Sequence, residues 1–283
     1  MSGQRVRIGT VWDRTVEVLQ GRGGLLFVLA LGFMVVPSLI GSAIALFGGS
    51  APGVPVDAGL RTVATVVNIA STLLLLSGLL AVTAVASDPR VDGRDAISTG
   101  LIRLGPTVGL LLLVMIVAAL ALVPLAWLTF AAGATYDATT GRINVSRASG
   151  GGIALAGSLS LLVFVAGLWL SAKLVPLLAV VVNERLGLGA FRRSFALTRG
   201  AAMRLMGVLI LYGIVLVVVM AAATTVVGVV ARLLLGGDAP ASVAFVVAVV
   251  STIVTALASV VQIVFYAQYY VAARDAEGVA ATA

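Results

Sequence analysis

Cysteine and histidine are both absent from the 283 residues, and charged side chains make up only 10 % of them. Their absence excludes disulfides, thiolate nucleophiles, haem ligation by histidine and the usual zinc sites. Carboxylates do not fill the gap. The 11 acids, among them Asp13, Glu17, Asp88, Asp92, Asp95 and Asp137, stand between arginines in polar connectors and read as solvated partners of those arginines. The apolar runs hold no acidic pair, although proton-coupled transporters and intramembrane proteases place carboxylates there. No Walker-type or dinucleotide-binding glycine pattern is present either. No catalytic residue, metal or cofactor is therefore expected, and the chain reads as a non-enzyme. Lysine is nearly missing too: of 18 basic residues only Lys173 is a lysine. That bias reads mainly as the codon usage of a GC-rich bacterium, with the fit of guanidinium to phosphate as a secondary reason.

What remains is overwhelmingly apolar. Hydrophobic residues are 61 % of the chain and the mean hydropathy is +1.18, whereas a soluble domain carries about one-quarter charged residues. Backbone groups inside a bilayer find no water, so each crossing must be a helix or part of a closed barrel, and runs of ~20 apolar residues specify helices. Six such runs fall at about 25–47, 60–86, 106–132, 153–182, 205–235 and 243–272. The fold class is thus all-α, a single polytopic membrane domain of six transmembrane helices. The first run is too long for a signal-peptide core and reads as a span. The stretches at 48–59, 133–152 and 236–242 read as loops, and the tail from Arg274 to Ala283 as disordered. Pro124 is expected to kink the third span and Pro176 to break the fourth, leaving 174–182 as length beyond what a crossing needs.

Six spans put both termini on one side. That side carries Arg5, Arg7, Arg14, Arg22, Arg90, Arg94, Arg103, Arg185, Arg192, Arg193, Arg199, Arg204 and Arg274, and the other only Arg61, Arg142, Arg147 and Arg232. The positive-inside rule makes the richer side cytoplasmic, in a bacterial plasma membrane. Three cytoplasmic segments have helical apolar spacing: Trp12, Val16 and Leu19; Ile97, Leu101 and Leu104; and Leu188, Phe191 and Phe195. Each precedes a span: a threefold repeat of amphipathic segment, span, outer loop and span is one reading of this, and the basic, amphipathic inner loops common to any membrane hairpin protein are the other. The last such segment is an interfacial helix at about 187–200.

Lys173, Arg185, Arg192, Arg193, Arg199 and Arg204 surround that helix and are the candidates for binding anionic headgroups. Each arginine beside an anionic leaflet contributes about 1 kcal/mol, and Phe191 with Phe195 would seat the helix at headgroup depth. Lys173 is expected to cap the membrane boundary by itself rather than pair with Glu184. In the sixth span Ser251, Thr255, Ser259, Gln262, Tyr266 and Tyr269 trace one polar stripe. Lipid disfavours such a face, so it is expected to turn inward. Ser251, Thr255 and Ser259 read first as packing surface; Gln262, Tyr266 and Tyr269, near the cytoplasmic end, read either as interfacial anchors or, with Ser259, as a polar crevice. Asn68, between Thr65 and Thr72 in the second span, is the counterpart.

The run Lys173, Pro176, Glu184, then GAFRRSFALTRG at 189–200 and Arg204 resembles the membrane domain found in glycerophosphoryl diester phosphodiesterases and related stand-alone bacterial multi-span proteins. Those share a Pro-containing span, an acidic residue, an A..RS..L..G helix and a further span. The likeness covers the whole chain as topology and about 35 residues as motif. In that family a separate soluble barrel rich in His, Glu and Asp performs the hydrolysis, so the resemblance implies no activity here. It implies the architecture and a place beside phospholipid headgroups or a partner. The expected function is that of a non-enzymatic protein of the phospholipid bilayer, engaging anionic headgroups or a cytoplasmic protein partner. A permease-like module for a small amphiphile, using the sixth-span stripe, and an assembly or regulatory subunit are the alternatives. No nucleic acid is expected as a partner.

Overall fold

The computed structural model describes residues 6–47, 58–137, 142–146, 149–236 and 240–282. Most of the loop read at 48–59 lies outside them, as do Arg5, Arg147 and residues 237–239 of the loop after the fifth span. Helix α1 (Ile8–Ala30) passes through a π-helical turn (Leu31–Val35) into α2 (Val36–Phe47), and α3 (Ala58–Ser87) returns. A short elbow, α4 (Gly93–Ile102), leads into α5 (Leu104–Ala131), which continues through Pro124. Then follow the strands β1 (Thr135–Asp137) and β2 (Arg142–Asn144), α6 (Gly150–Leu174), α7 (Leu177–Asn183), a second elbow α8 (Gly189–Leu197), α9 (Ala202–Leu235) and α10 (Pro240–Thr282). The fold is all-α, and six of its helical stretches are long and apolar enough to cross a membrane.

Helix α10 is the hub, packing against α9, α1, α3, α2 and α7. Buried side chains gather where the helices approach the face that carries both chain ends, here called the terminal face. Leu26 and Leu29 of α1, Leu80, Val82 and Val85 of α3, and Val264, Tyr269 and Tyr270 of α10 are all buried there. Towards the opposite face the helices present large apolar side chains outward. Half of the most apolar stretch of the second span (50 %) is buried inside the protein, against 6 % for the third, fourth and fifth. Lipid tails are as apolar as leucine, so these outward faces cost little in a bilayer.

Two glycines permit the closest approaches at the terminal face. A Cβ on Gly100 would sit 2.5 Å from the Ser77 carbonyl oxygen, and one on Gly78 would sit 2.5 Å from the Cβ of Phe33. Only a residue without a side chain lets α4 lie directly on α3 there.

Three expectations are corrected. The tail after Arg274 is helical to Thr282, because Asp275 takes Arg14 at 3.4 Å and Glu277 takes Arg193 at 2.7 Å. The segment 133–152 holds an antiparallel hairpin in the register Thr135–Asn144, Tyr136–Ile143 and Asp137–Arg142. The first amphipathic segment is no separate surface helix. It runs unbroken into the first span through Gly21, Gly23 and Gly24, because Arg22 is fastened to the end of α3. Short elbow helices therefore precede the third and fifth spans but not the first.

Candidate functional site at the terminal face

The site begins with a broken helix. Proline has no N–H to donate and its ring collides with the preceding turn, so α6 ends at Leu174 and α7 restarts after Pro176. The length beyond a crossing is not idle: Leu177, Ala179, Val180 and Val181 of α7 are buried in the core together with Val11, Leu205 and Phe265. Pro176 brings no N–H to the carbonyl of Ala172, and beside that gap Ser194 of α8 donates its hydroxyl to the next carbonyl, on Lys173, at 2.7 Å. The Lys173 ammonium lies 5.6 Å over the ring of Trp169 and 6.0 Å over that of Phe195, a cation–π seat that fixes it at the boundary. No contact with Glu184 is needed. Arg185 leaves α7 in the left-handed region (φ 55°), and Gly200 (φ 80°) turns the chain from α8 towards α9.

Arg193 forms the centre of a clasp. Its Nε donates to both oxygens of Glu184 at 3.0 Å, and its terminal nitrogens donate to Glu277 at 3.1 and 2.7 Å. Hydrogen bonding to Glu277, opposed by burial and reinforced by Glu184, holds the guanidinium above the usual arginine range. Tyr270 donates to Glu184 at 3.1 Å, and Arg274 lies 5.8 Å over the Tyr270 ring. The clasp joins the α7–α8 elbow to the end of α10. Arg193, grouped by sequence with the headgroup-binding arginines, is occupied by these two carboxylates. Arg185, Arg192, Arg199 and Arg204 are exposed and enter no ion pair among the described residues. Helix α8 covers only Gly189–Leu197, so Arg185 lies before it in irregular backbone and Arg199 after it in a turn.

A second tie was not legible in the spacing. Arg22 donates to the carbonyls of Val85 at 2.8 Å, Asp88 at 3.0 Å and Val91, and Gln268 donates to that of Ala86 at 2.6 Å. Together they satisfy the carbonyl end of α3, where a helix leaves acceptors without internal partners and where positive charge is favoured. The acids of the following connector serve backbone N–H groups rather than arginines. Asp88 accepts from the amide of Arg90 at 2.8 Å, and Asp92 caps α4 by accepting from that of Asp95 at 2.9 Å.

In each of the three amphipathic segments some of the large apolar residues lie outward while neighbours turn in, although Leu19 and Phe191 do pack on the core. Val11 and Thr15 are buried in place of Trp12, Ala96 and Gly100 in place of Ile97 and Leu101, and Ala190 and Ser194 in place of Leu188. Small residues let helices approach closely, and lipid accepts the large ones. Phe191 packs on the edge of the core and Phe195 lies 6.2 Å from Trp169, edge to face, so neither phenylalanine is directed wholly at lipid.

The sixth-span stripe divides. Thr255 is exposed, its hydroxyl 3.8 Å from the sulfur of Met220. Ser259 is half-buried. Tyr269 belongs to the core, donating to the Leu197 carbonyl at 3.2 Å. Asn68 is exposed on α3. Gln268 meets Ala86, and α3 and α10 run in the same direction, so Asn68 lies roughly 18 Å from the level of Gln262 along the helix axes. Gln262 and Tyr266 do stay together: the Gln262 amide donates to the Tyr266 hydroxyl at 2.6 Å. They line a cleft of about 410 Å³ between the start of α1, α9 and α10, with Trp12, Val208, Tyr212 and Phe265 among its walls. Arg22, Gln268, Tyr270 and Glu277 are the residues that sequence reasoning missed. Of these only Gln268, a second amide six residues after Gln262 in an apolar run, gave a signal. Comparison of the chain with family models, with curated proteins and with solved structures finds no match.

Proposed function

We propose that the chain is a non-enzymatic multi-pass protein of a bacterial plasma membrane whose cytoplasmic, arginine-rich elbow engages anionic phospholipid headgroups. The terminal face is taken as cytoplasmic because it holds most of the arginines. The observation that carries the proposal is the division of labour among the arginines. Arg193 is committed to Glu184 and Glu277, whereas Arg185, Arg192, Arg199 and Arg204 stand exposed around α8 and enter no ion pair among the described residues. Four guanidinium groups at about 1 kcal/mol each favour an anionic leaflet by about 4 kcal/mol before ordering costs, and guanidinium suits phosphate oxygens better than ammonium does. The likeness of 173–204 to the phosphodiesterase membrane domain supports the architecture only. Its Glu184, Arg193, Ser194 and Gly200 have structural work in the clasp, the α6 end and the turn.

A transport path along the sixth span finds less support, because Thr255 and Asn68 face outward and Tyr269 is consumed in the core. Purification followed by mass spectrometry of retained lipid tests the proposal. Wild type is expected to keep anionic phospholipid, and Arg185→Ala, Arg192→Ala and Arg199→Ala combined to lose most of it at unchanged thermal midpoint. Equal retention in both would sink the headgroup role.

A further inference from the structure

We infer that the α1–α9–α10 cleft holds one acyl chain of an anionic phospholipid from the surrounding bilayer, with Arg204 at its mouth. This rests on the headgroup reading above and gives it a specific seat. Arg204, Val208, Leu211, Tyr212 and Val215 follow one another at spacings of four, three, one and three residues, so they share one face of α9. All but Arg204 line the cleft. From Arg204 to Val215 is about 16 Å of helix, roughly half the ~30 Å hydrocarbon core and thus the reach of one leaflet's chain. The cleft's volume of about 410 Å³ lies within the ~300–1,000 Å³ of small-ligand sites.

Polarity is graded along the cleft as a phospholipid requires. Met220 meets Thr255, and a Cβ on Gly228 would sit 3.7 Å from Val247. That antiparallel register, carried towards the terminal face, sets Tyr266 level with Leu209, about 7 Å deeper than Arg204. The phosphate end is therefore met by Arg204, exposed and in no ion pair among the described residues, with Arg7 at the start of α1 next to the cleft-lining Ile8. One to two turns further in, Tyr266 accepts from Gln262 and keeps its own hydroxyl proton to donate, and Gln262 keeps a carbonyl oxygen. That is the depth of ester groups. Tyr212 stands at about the level of Gln262, and beyond them the walls are Val215 and Val261. Hydrocarbon is the neighbouring medium: Trp12 is 50 %, Leu211 63 % and Val215 53 % exposed along the rim.

Photolabelling of the full chain in nanodiscs tests this, using an anionic phosphatidylglycerol with a photoactivatable acyl chain and mapping the labelled residues by mass spectrometry. Label is expected to concentrate at 208–215 and 261–266, at least tenfold above the equally exposed 112–123 of α5. A zwitterionic phosphatidylcholine probe, or Arg204→Gln, should lower cleft labelling about fivefold, the factor that about 1 kcal/mol per arginine represents. Filling the cleft by Val208→Trp should abolish its label while the anionic lipid retained around α8 stays. Even labelling of 208–215 and 112–123 in wild type would overturn the inference whatever the variants do, as would equal cleft labelling by both probes. Cleft labelling that survives in the Arg185, Arg192 and Arg199 variant would support the cleft even if retained lipid there is unchanged. Even labelling alongside variant-sensitive retention would sink the cleft alone, so the two failures are separable.

Discussion

The terminal half and the opposite half are built from the same helices but held by different means. Near the terminal face, side chains interlock, Gly100 lets α4 approach the backbone of α3, Gly78 makes room for the Phe33 side chain, and guanidinium and amide groups close the loose carbonyls of α3. Towards the other face, α5, α6 and α9 show leucines, valines and a tryptophan to the surroundings, as with Leu122, Val218 and Trp127. The lesson is where specificity resides. In a bilayer, burial of apolar surface does not distinguish protein from lipid, so shape and polar ties do the selecting. Both are concentrated at the terminal half, where the arginine collar and the cleft also lie.

Breaking the close packing should have the largest effect. Gly100→Leu pushes a side chain into the Ser77 carbonyl and is expected to cost about 3 kcal/mol, the upper range for overpacking. Gly157→Leu, near the opposite face on α6 and with nothing within 4 Å of its Cβ, is expected to be near neutral. Equilibrium unfolding in mixed micelles reads both, and equal losses would erase the distinction between the halves. A matched pair sharpens it. Leu80→Ala empties a fully buried site and should cost about 2 kcal/mol, chiefly the cavity contribution. Leu122→Ala, 49 % exposed on α5, should change the same measurement by less than about 0.5 kcal/mol. Smaller still is the clasp. Glu184→Gln weakens two hydrogen bonds from Arg193 and one from Tyr270, but the ion pair is partly open to solvent (28 % and 22 %). About 1 kcal/mol is expected, diminishing with added salt. A loss insensitive to salt would mean that packing, not charge, holds the α7–α8 elbow to α10.

The spans, their number and the arginine-rich connector were legible because ~20-residue apolar runs and charge placement are local properties. The inner faces of the amphipathic segments were not. The spacing of Ile97 and Leu101 marks an apolar face but does not say which residues beside it pack against the protein. With lipid as solvent, Ala96 and Gly100 go inward because they are small. The roles of Arg22 and Arg193 were equally hidden, since each depends on a partner more than 60 residues away in sequence, Val85 for one and Glu277 for the other. Of the polar stripe, the Gln262–Tyr266 pair was readable from i, i+4 spacing. The assignment of Tyr269 to the core and of Thr255 to the exterior follows from how α10 rotates against α9, which spacing along one helix does not encode.

Helix α10, the hub of the packing, is the last of the six spans to leave the ribosome. Until it arrives, Leu26, Leu29, Val82 and Val85 lack the face that completes their cluster, and Arg14 and Arg193 lack Asp275 and Glu277. The earlier spans must therefore wait in the membrane as a looser set, held by lipid and by the packing of α3 on α2, α4 and α7 and of α6 on α5 and α9. Arrival of α10 then fastens α1 and the α7–α8 elbow in one step. Synthesis that stalls within the sixth span would leave an inserted but unlatched protein with its arginine elbow adrift, a form that membrane quality-control proteases are suited to remove.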